Sequence, residues 1–174
     1  MKSIQYLLIT FLFFQAPNYS QNKINNKSLL FLEHTQPFKG FFDFNYHHKK
    51  DIIYLTVKEL DKEFLYVNSL SEGIGNNDIG LDRGQLGSER VVFFSKSGNK
   101  LMLIQPNLRY RSTSENPLEQ RSVKEAFAKS VLFGFPIIEI TKEGYLIDLT
   151  PFIMRDAHGV SKRLEDLNEG SFEI

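Results

Sequence analysis

The stretch that decides the fold is residues 90–105, RVVFFSKSGNKLMLIQ. Its two ends, residues 90–95 and 101–105, are rich in β-branched, aromatic and aliphatic side chains, which favour strands. Between them lie Gly98 and Asn99, which both tolerate a positive φ and favour a tight turn. The stretch therefore predicts two antiparallel strands joined as a β-hairpin.

Further strands are predicted on both sides of this hairpin. Residues 42–46 and 53–57 alternate apolar and polar side chains, the period of a half-buried strand, and predict a second hairpin. Residues 64–68 predict a single strand before residue 90. Residues 137–140 and 145–148 flank a turn that contains a glycine and predict a third hairpin. The sequence thus predicts a sheet built mainly from hairpins.

One long helix is predicted after the central hairpin. Asn116 is a good N-cap and Pro117 suits the first helical position. Gly134 is expected to end the helix. The apolar residues at helical spacing are Val123, Ala126, Phe127 and Val131. The fold class predicted from the sequence is therefore α+β, with antiparallel β-hairpins forming a sheet packed against one long amphipathic helix.

The amino terminus has the pattern of a signal peptide. Lys2 precedes the apolar residues 4–14, and we expect cleavage after Ser20. The mature chain is then exported, periplasmic or extracellular, with no integral membrane segment. The polar residues from Ser161 to Glu169 predict a polar tail. The predicted organisation is a signal peptide at 1–20, a flexible leader at 21–34, one domain at 35–165 and a polar tail at 166–174.

Composition excludes several classes of function. The chain has 21 basic and 21 acidic residues, so no basic excess indicates nucleic acid as a partner. It has no Cys, so disulfides, thiolate metal sites and cysteine nucleophiles are excluded. None of its 4 His residues forms a His-Glu-x-x-His pair. His158 lies close to Asp156, which can orient an imidazole, but a polar surface cluster explains the pair better than a catalytic base does.

A polar loop, GIGNNDIGLDRGQLGSER, connects two strands at residues 73–90 and is called the central loop below. A dinucleotide-binding fingerprint would need glycine where the chain has Asp78, so that class is excluded. Asn76, Asp78 and Asp82 carry hard oxygen ligands and are candidates for an irregular calcium site. The alternative is structural, with Asn77 and Asp78 capping turns.

Five stretches, taken in order, carry a family resemblance. They are GFFDFNY (40–46), EFLYVNSLSEGIGNNDIGLDRGQLGSERVVFF (63–94), QPNLRYR (105–111), NPLEQRSVKEAFAKSVLFGFPI (116–137) and RDAHGV (155–160). Together they resemble the N-terminal domain, of undetermined function, of large exported bacterial zinc-dependent metalloproteases, especially those of Bacteroidota. The resemblance covers roughly residues 35–165, and the central loop is its most specific part.

The resemblance implies a partner rather than a reaction. In that family a separate metzincin-like domain binds zinc through a His-Glu-x-x-His helix, whose Glu is the base. This sequence has no such segment, so we expect no catalytic residue, no cofactor and no activity from this chain alone. The implied role is a non-catalytic accessory domain, truncated or standing alone, that docks to or supports a metalloprotease catalytic domain in cis or in trans. The candidate structural or docking residues are Asn77, Asp78, Asp82, Arg83, Gln85, Arg109, Arg111, Asp156 and His158.

A second class of function stays open beside this one. Residues 107–111, which follow the strand-ending Pro106, are expected to form an edge strand. Such an edge can accept a strand added by a ligand. The alternative hypothesis is therefore an independent exported binding module for a peptide or a glycan.

Overall fold

The computed structural model describes residues 31–76 and 78–170, so the predicted signal peptide and most of the predicted leader lie outside it. Its strands are β1 (Gln36–Phe38), β2 (Asp43–His47), β3 (Ile52–Val57), β4 (Phe64–Tyr66), β5 (Arg90–Ser97), β6 (Lys100–Gln105), β7 (Ser130–Ile140) and β8 (Tyr145–Asp148). Short helices lie at α1 (Pro117–Ala126), α2 (Thr150–Ile153) and α3 (Val160–Asp166). None of the helices in the described ranges combines the length and apolar composition needed to cross a membrane.

The strands form one antiparallel sheet of eight strands, in the order β1-β2-β3-β8-β7-β6-β5-β4. Strand β7 joins its two halves. Residues 130–136 of β7 pair with β6, and the register then shifts as residues 137–140 pair with β8. Irregularities of this kind bend a strand and increase its twist. The sheet is consequently curled rather than flat.

The three predicted hairpins are confirmed. Strands β2 and β3, β5 and β6, and β7 and β8 pair as antiparallel neighbours. In the turn between β5 and β6, Gly98 has a φ of 56°, a conformation that glycine adopts at little cost. Local turn chemistry and period-2 patterning thus determine these pairs.

The predicted fold class is wrong in its helical part. Helix α1 has 10 residues and none of them is buried, so it does not pack as a layer on the sheet. Its start is as predicted, because Asn116 accepts a 3.0 Å hydrogen bond from the backbone N–H of Leu118. From Ser130 onward, however, the expected helix is strand β7. The described chain is mostly antiparallel sheet with short helices, and it contains no long amphipathic helix.

The physical reason lies in residues that satisfy two patterns at once. Val131 and Phe133 fit the helical spacing of the sequence, but β-branched and aromatic side chains also favour strands. In the structure, β6 pairs with both residues, with Phe133 opposite Leu103 and Val131 opposite Ile104, and the register shifts between them. Pairing across the sheet therefore outweighs local helical periodicity.

The predicted edge strand at residues 107–111 is also wrong. The side-chain oxygen of Asn107 accepts hydrogen bonds from the backbone N–H groups of Arg109 (3.0 Å) and Tyr110 (3.2 Å). An asparagine that binds the backbone just after it favours a turn over an extended strand. The segment is irregular and contributes no strand edge.

The main core gathers side chains from both halves of the sheet and from α2. Phe135 of β7 is fully buried and contacts Phe94 and Phe152, with ring centroids 6.0 and 5.7 Å apart. Burying one such side chain contributes about 1.5–3 kcal/mol. Phe152 belongs to α2, so this contact fixes the chain just before residues 155–160. The core thereby positions the polar cluster described next.

Candidate functional site

The central loop is folded against the segment that precedes it. Backbone hydrogen bonds join Gly87 to Asn68 (2.8 Å) and Gly84 to Leu70 (2.8 Å). Another joins the N–H of Ile74 to the carbonyl of Leu81 (3.1 Å). These bonds hold two arms side by side, and the loop satisfies much of its own backbone.

Gly73 lies where the two arms approach most closely. A Cβ atom built on Gly73 would lie 2.7 Å from the backbone nitrogen of Arg83 and 3.0 Å from the carbonyl oxygen of Leu81. Both neighbours are backbone atoms, which cannot move aside as a flexible side chain can. Glycine is required here by space, since any side chain would force the arms apart.

A second, smaller core attaches the central loop to α3. Ile79 and Leu81 of the loop are buried against Leu164 of α3, and Leu70 and Val160 pack around them. Residues from Ser161 onward, predicted as a polar chain end, thus begin with a helix that has one buried face. The loop is therefore anchored to a rigid element.

The candidate loop residues lie mostly in turns at the surface. Asn76 accepts a 3.0 Å hydrogen bond from the backbone N–H of Asp78, as expected of a turn-capping residue. The backbone N–H of Asp82 donates to the Gln85 side chain at 3.2 Å. Arg83 is exposed. Asn77 lies outside the described residues.

A calcium site at Asn76, Asp78 and Asp82 remains a prediction. One oxygen of this set, Oδ1 of Asn76, is already used as a hydrogen-bond acceptor. Within residues 31–76 and 78–170, no three His, Cys, Asp or Glu side chains are grouped closely enough to hold a metal ion.

A groove lies between residues 66–70, which directly precede the central loop, and the segment that joins α2 to α3, and we call it the loop–α3 groove. Tyr66 and Asn68 line one side, and Ile153, Arg155 and His158 line the other. The predicted candidates His158 and Asp156 both line this groove. Tyr66 and Asn68 carry no signal in the sequence, because only the folded chain brings them to that segment.

Arg155 connects the two sides of the loop–α3 groove. Its guanidinium donates a 3.1 Å hydrogen bond to the hydroxyl of Tyr66, 89 residues away in the chain. It also donates to the carbonyl of Phe152 at 3.1 Å and lies 4.0 Å from the centroid of that ring. A planar guanidinium stacks on an aromatic face and donates from its edge at the same time. Arg155 is thus held in place by the main core.

Asp156 fixes the start of α3. Its carboxylate accepts a 3.0 Å hydrogen bond from the backbone N–H of Ser161. Burial raises the pKa of the Asp156 carboxyl, but the backbone N–H groups of residues 158–161 lower it by more, so the pKa lies below the ordinary value of 3.8. Asp156 is therefore an ionised anchor for the helix rather than a group that exchanges protons near neutral pH.

Three polar atoms around this groove are buried without a partner in the described part of the chain. They are Nδ2 of Asn68, Nε2 of His158 and Oγ of Ser161. Each of these atoms is enclosed by the protein and is not open to the groove. The apolar side chain of Ile153, which lines the groove, is 51% exposed. The groove therefore presents an exposed apolar side chain beside polar ones.

The remaining candidates, Arg109 and Arg111, do not join this site. Each lines a different surface groove near residues 106–111. The structure consequently divides the candidates into a loop set, a loop–α3 groove set and a separate arginine pair.

The fold and the groove together define the class of protein. It is a curled antiparallel-sheet domain with an anchored polar loop and an open surface groove. The chain belongs to the DUF5117 family, a domain of unknown function, whose model matches residues 84–172. This match covers the chain from the end of the central loop through α3, including one side of the loop–α3 groove. Neither the comparison with curated proteins nor the comparison with solved structures gave a match.

Proposed function

We propose that this chain is a non-catalytic accessory domain that docks through the loop–α3 groove to a metalloprotease catalytic domain, in cis or in trans. One observation carries the proposal: the exposed side chain of Ile153 lies in the same groove as the polar side chains of Asn68, Arg155 and His158. A docked segment would cover the apolar side chain and offer hydrogen-bonding groups to the polar ones.

The apolar side chain of Ile153 adds to the docking surface. Ile153 is 51% exposed, although it follows directly on the buried Phe152. Covering it would remove apolar surface from water, which contributes about 25 cal/mol for each Å². Apolar side chains with a polar rim around them are typical of a recognition surface.

The groove is built on rigid elements, which favours binding. Arg155 is stacked on Phe152, and the carboxylate of Asp156 accepts a hydrogen bond at the start of α3. The central loop is anchored to α3 through Leu164. A surface that is already ordered loses little conformational entropy when a partner binds.

The identity of the partner rests on the sequence resemblance to N-terminal domains of exported zinc-dependent metalloproteases. In this proposal the protein acts outside the cytoplasm, and zinc belongs to the partner and not to this chain. The central loop supports one side of the docking surface.

Binding to a separately expressed catalytic domain tests the proposal. The probe is the zinc-binding catalytic domain of an exported metalloprotease whose N-terminal domain this chain resembles in sequence, titrated by isothermal calorimetry. We expect a dissociation constant in the micromolar range, and Ile153→Asp should weaken it by about tenfold. Ile140→Asp is the matched control, because Ile140 is 60% exposed but lies at the end of β7 outside the groove.

Two results would contradict the proposal. The first is no detectable binding when either protein is present at about 100 times the expected micromolar dissociation constant. The second is zinc-dependent cleavage of casein by the purified chain alone, which would make it catalytic.

A further inference from the structure

A second groove lies on the connection between β6 and β7, away from the site just described. Residues 106–112 form one wall and α1 with Phe127 forms the other, and we call it the α1 groove. Tyr110 and Phe127 stack across it, with ring centroids 4.1 Å apart and an interplanar angle of 13°. The two rings are 45% and 37% exposed, so this aromatic pair is open to solvent rather than part of a core.

The α1 groove is cationic. Arg111, Lys124 and Lys129 line it, and no carboxylate does. Arg111 and Lys124 form no ion pair within the described residues, and the ammonium of Lys129 lies 4.9 Å from the centroid of the Phe93 ring. These side chains leave positive charge available to a ligand.

The acidic residues of α1 are already engaged by other side chains of the protein. Glu119 accepts a 2.9 Å hydrogen bond from the hydroxyl of Ser112, which lines the groove, so one carboxylate lies at the groove's edge. Glu125 pairs with Arg121 at 2.7 Å on the exposed side of the helix. The balance at the groove itself is therefore positive, although the whole chain has a formal net charge of zero.

The wall of the groove also offers backbone donors. Asn107 holds the start of the segment in a turn through the N–H groups of Arg109 and Tyr110. The next N–H groups, those of Arg111 and Ser112, belong to residues that line the groove and donate to no acceptor in the described part of the chain. Free main-chain N–H groups suit the carbonyl oxygens and carboxylates of an extended peptide.

We propose that the α1 groove binds an acidic, extended peptide segment of a partner protein. Carboxylates of the peptide pair with Arg111, Lys124 and Lys129, and its main-chain carbonyls accept from the free N–H groups of residues 111 and 112. An apolar side chain of the peptide covers the Tyr110–Phe127 pair. The backbone donors favour a peptide over an anionic glycan, which has no main-chain pattern to match them.

Fluorescence anisotropy with a labelled peptide tests this inference. The probe is fluorescein-labelled hexaglutamate carrying one central phenylalanine, titrated with the chain at low ionic strength. We expect saturable binding that weakens as salt rises, because exposed charge pairs are screened. The double change Lys124→Gln and Lys129→Gln should weaken binding by about tenfold, as expected for two lost surface ion pairs.

Two control variants separate the groove from general charge attraction. Lys50→Gln with Lys142→Gln removes the same charge from exposed turns outside the groove and should leave affinity nearly unchanged. Tyr110→Ala should weaken the probe but have little effect on hexaglutamate without phenylalanine, which identifies the aromatic contact.

Three outcomes would overturn the proposal. They are no saturable binding at low salt, equal weakening by the groove and control double variants, and preference for a polyglucuronate chain over the peptide. None of them bears on docking at the loop–α3 groove, because the two grooves share no lining residue.

Discussion

The side chain of Arg163 on α3 donates a 2.9 Å hydrogen bond from Nε to the backbone carbonyl of Ile79 in the central loop, 84 residues earlier in the chain. The side chain of Ile79 is buried against Leu164, the neighbour of Arg163. One residue of the loop is therefore held by a polar and an apolar contact to the same turn of helix. This pairing makes the loop a supported element of the fold.

Replacing Arg163 should loosen the central loop. We expect Arg163→Ala to lower the free energy of unfolding by about 1 kcal/mol, the usual net contribution of one hydrogen bond. Amide exchange at residues 79–81 should accelerate, as measured by hydrogen–deuterium exchange. Lys162→Ala is the control, because Lys162 is exposed and pairs with Asp166 on the same helix. Equal exchange in the two variants would show that the bond to Ile79 does not hold the loop.

The space around Gly73 leads to a second prediction. In Gly73→Ala the new methyl group would meet the backbone nitrogen of Arg83 at 2.7 Å, so the arms of the loop must separate. We expect a loss of about 1–3 kcal/mol in urea unfolding, as for overpacked sites. Gly40→Ala is the matched control, since its nearest neighbour would be the carbonyl of Phe42 at 3.6 Å. A Gly73→Ala protein as stable as the control would contradict the close approach.

The hairpins could be predicted from the sequence because their signals are local. Gly98 and Asn99 form the turn between β5 and β6, and apolar alternation marks residues 42–46 and 53–57. The cap at Asn116 is equally local, since its side chain bonds the backbone two residues later. Short-range chemistry of this kind leaves few alternatives.

The predictions from the sequence were wrong where the local structure depends on residues far away in the chain. Residues 130–133 fit a helix as well as a strand, and only the presence of β6 selects the strand. The loop–α3 groove depends on the bond between Tyr66 and Arg155, 89 residues apart. Val160 and Leu164, spaced by one helical turn, were the available signal for α3, but surrounding charges obscured it. The sequence thus predicts the candidate residues Asp156 and His158 but not their neighbours.

The second core gives a third prediction. Leu164→Ala removes the buried side chain that holds Ile79 and Leu81 against α3. We expect the cavity to lower the free energy of unfolding by about 2–3 kcal/mol, with the main effect on local opening of the central loop. Exchange at residues 79–81 should increase more than exchange in β6. Leu118→Ala on α1, where the side chain is 73% exposed, should change neither quantity. If amide exchange instead accelerates equally in the central loop and in the sheet, α3 is part of the main core.

The ion pairs of Asp43 predict how stability depends on pH. Lys58 and Lys39 lie 2.6 and 3.1 Å from the same carboxylate oxygen of Asp43. Hydrogen bonds from these lysines, first Lys58 and then Lys39, lower the pKa of Asp43 from 3.8 to about 2. The folded chain thus holds the ionised form more strongly than the unfolded chain does. This stabilisation is complete above the unfolded pKa and is lost as pH falls through the folded value.

We therefore expect Asp43→Asn to flatten the decline of unfolding free energy between about pH 4 and pH 2, since the variant has no carboxyl group to titrate there. Urea unfolding at several pH values measures the difference. Lys58→Gln should reduce the same pH dependence because it removes the stronger hydrogen bond to Asp43, whereas Lys142→Gln removes an equal charge away from this pair. If the unfolding free energy of Asp43→Asn declines with pH as the wild type does, the acid sensitivity of the fold comes from other residues. If Lys142→Gln reduces the pH dependence as much as Lys58→Gln does, the cause is net charge and not the contact between Asp43 and Lys58.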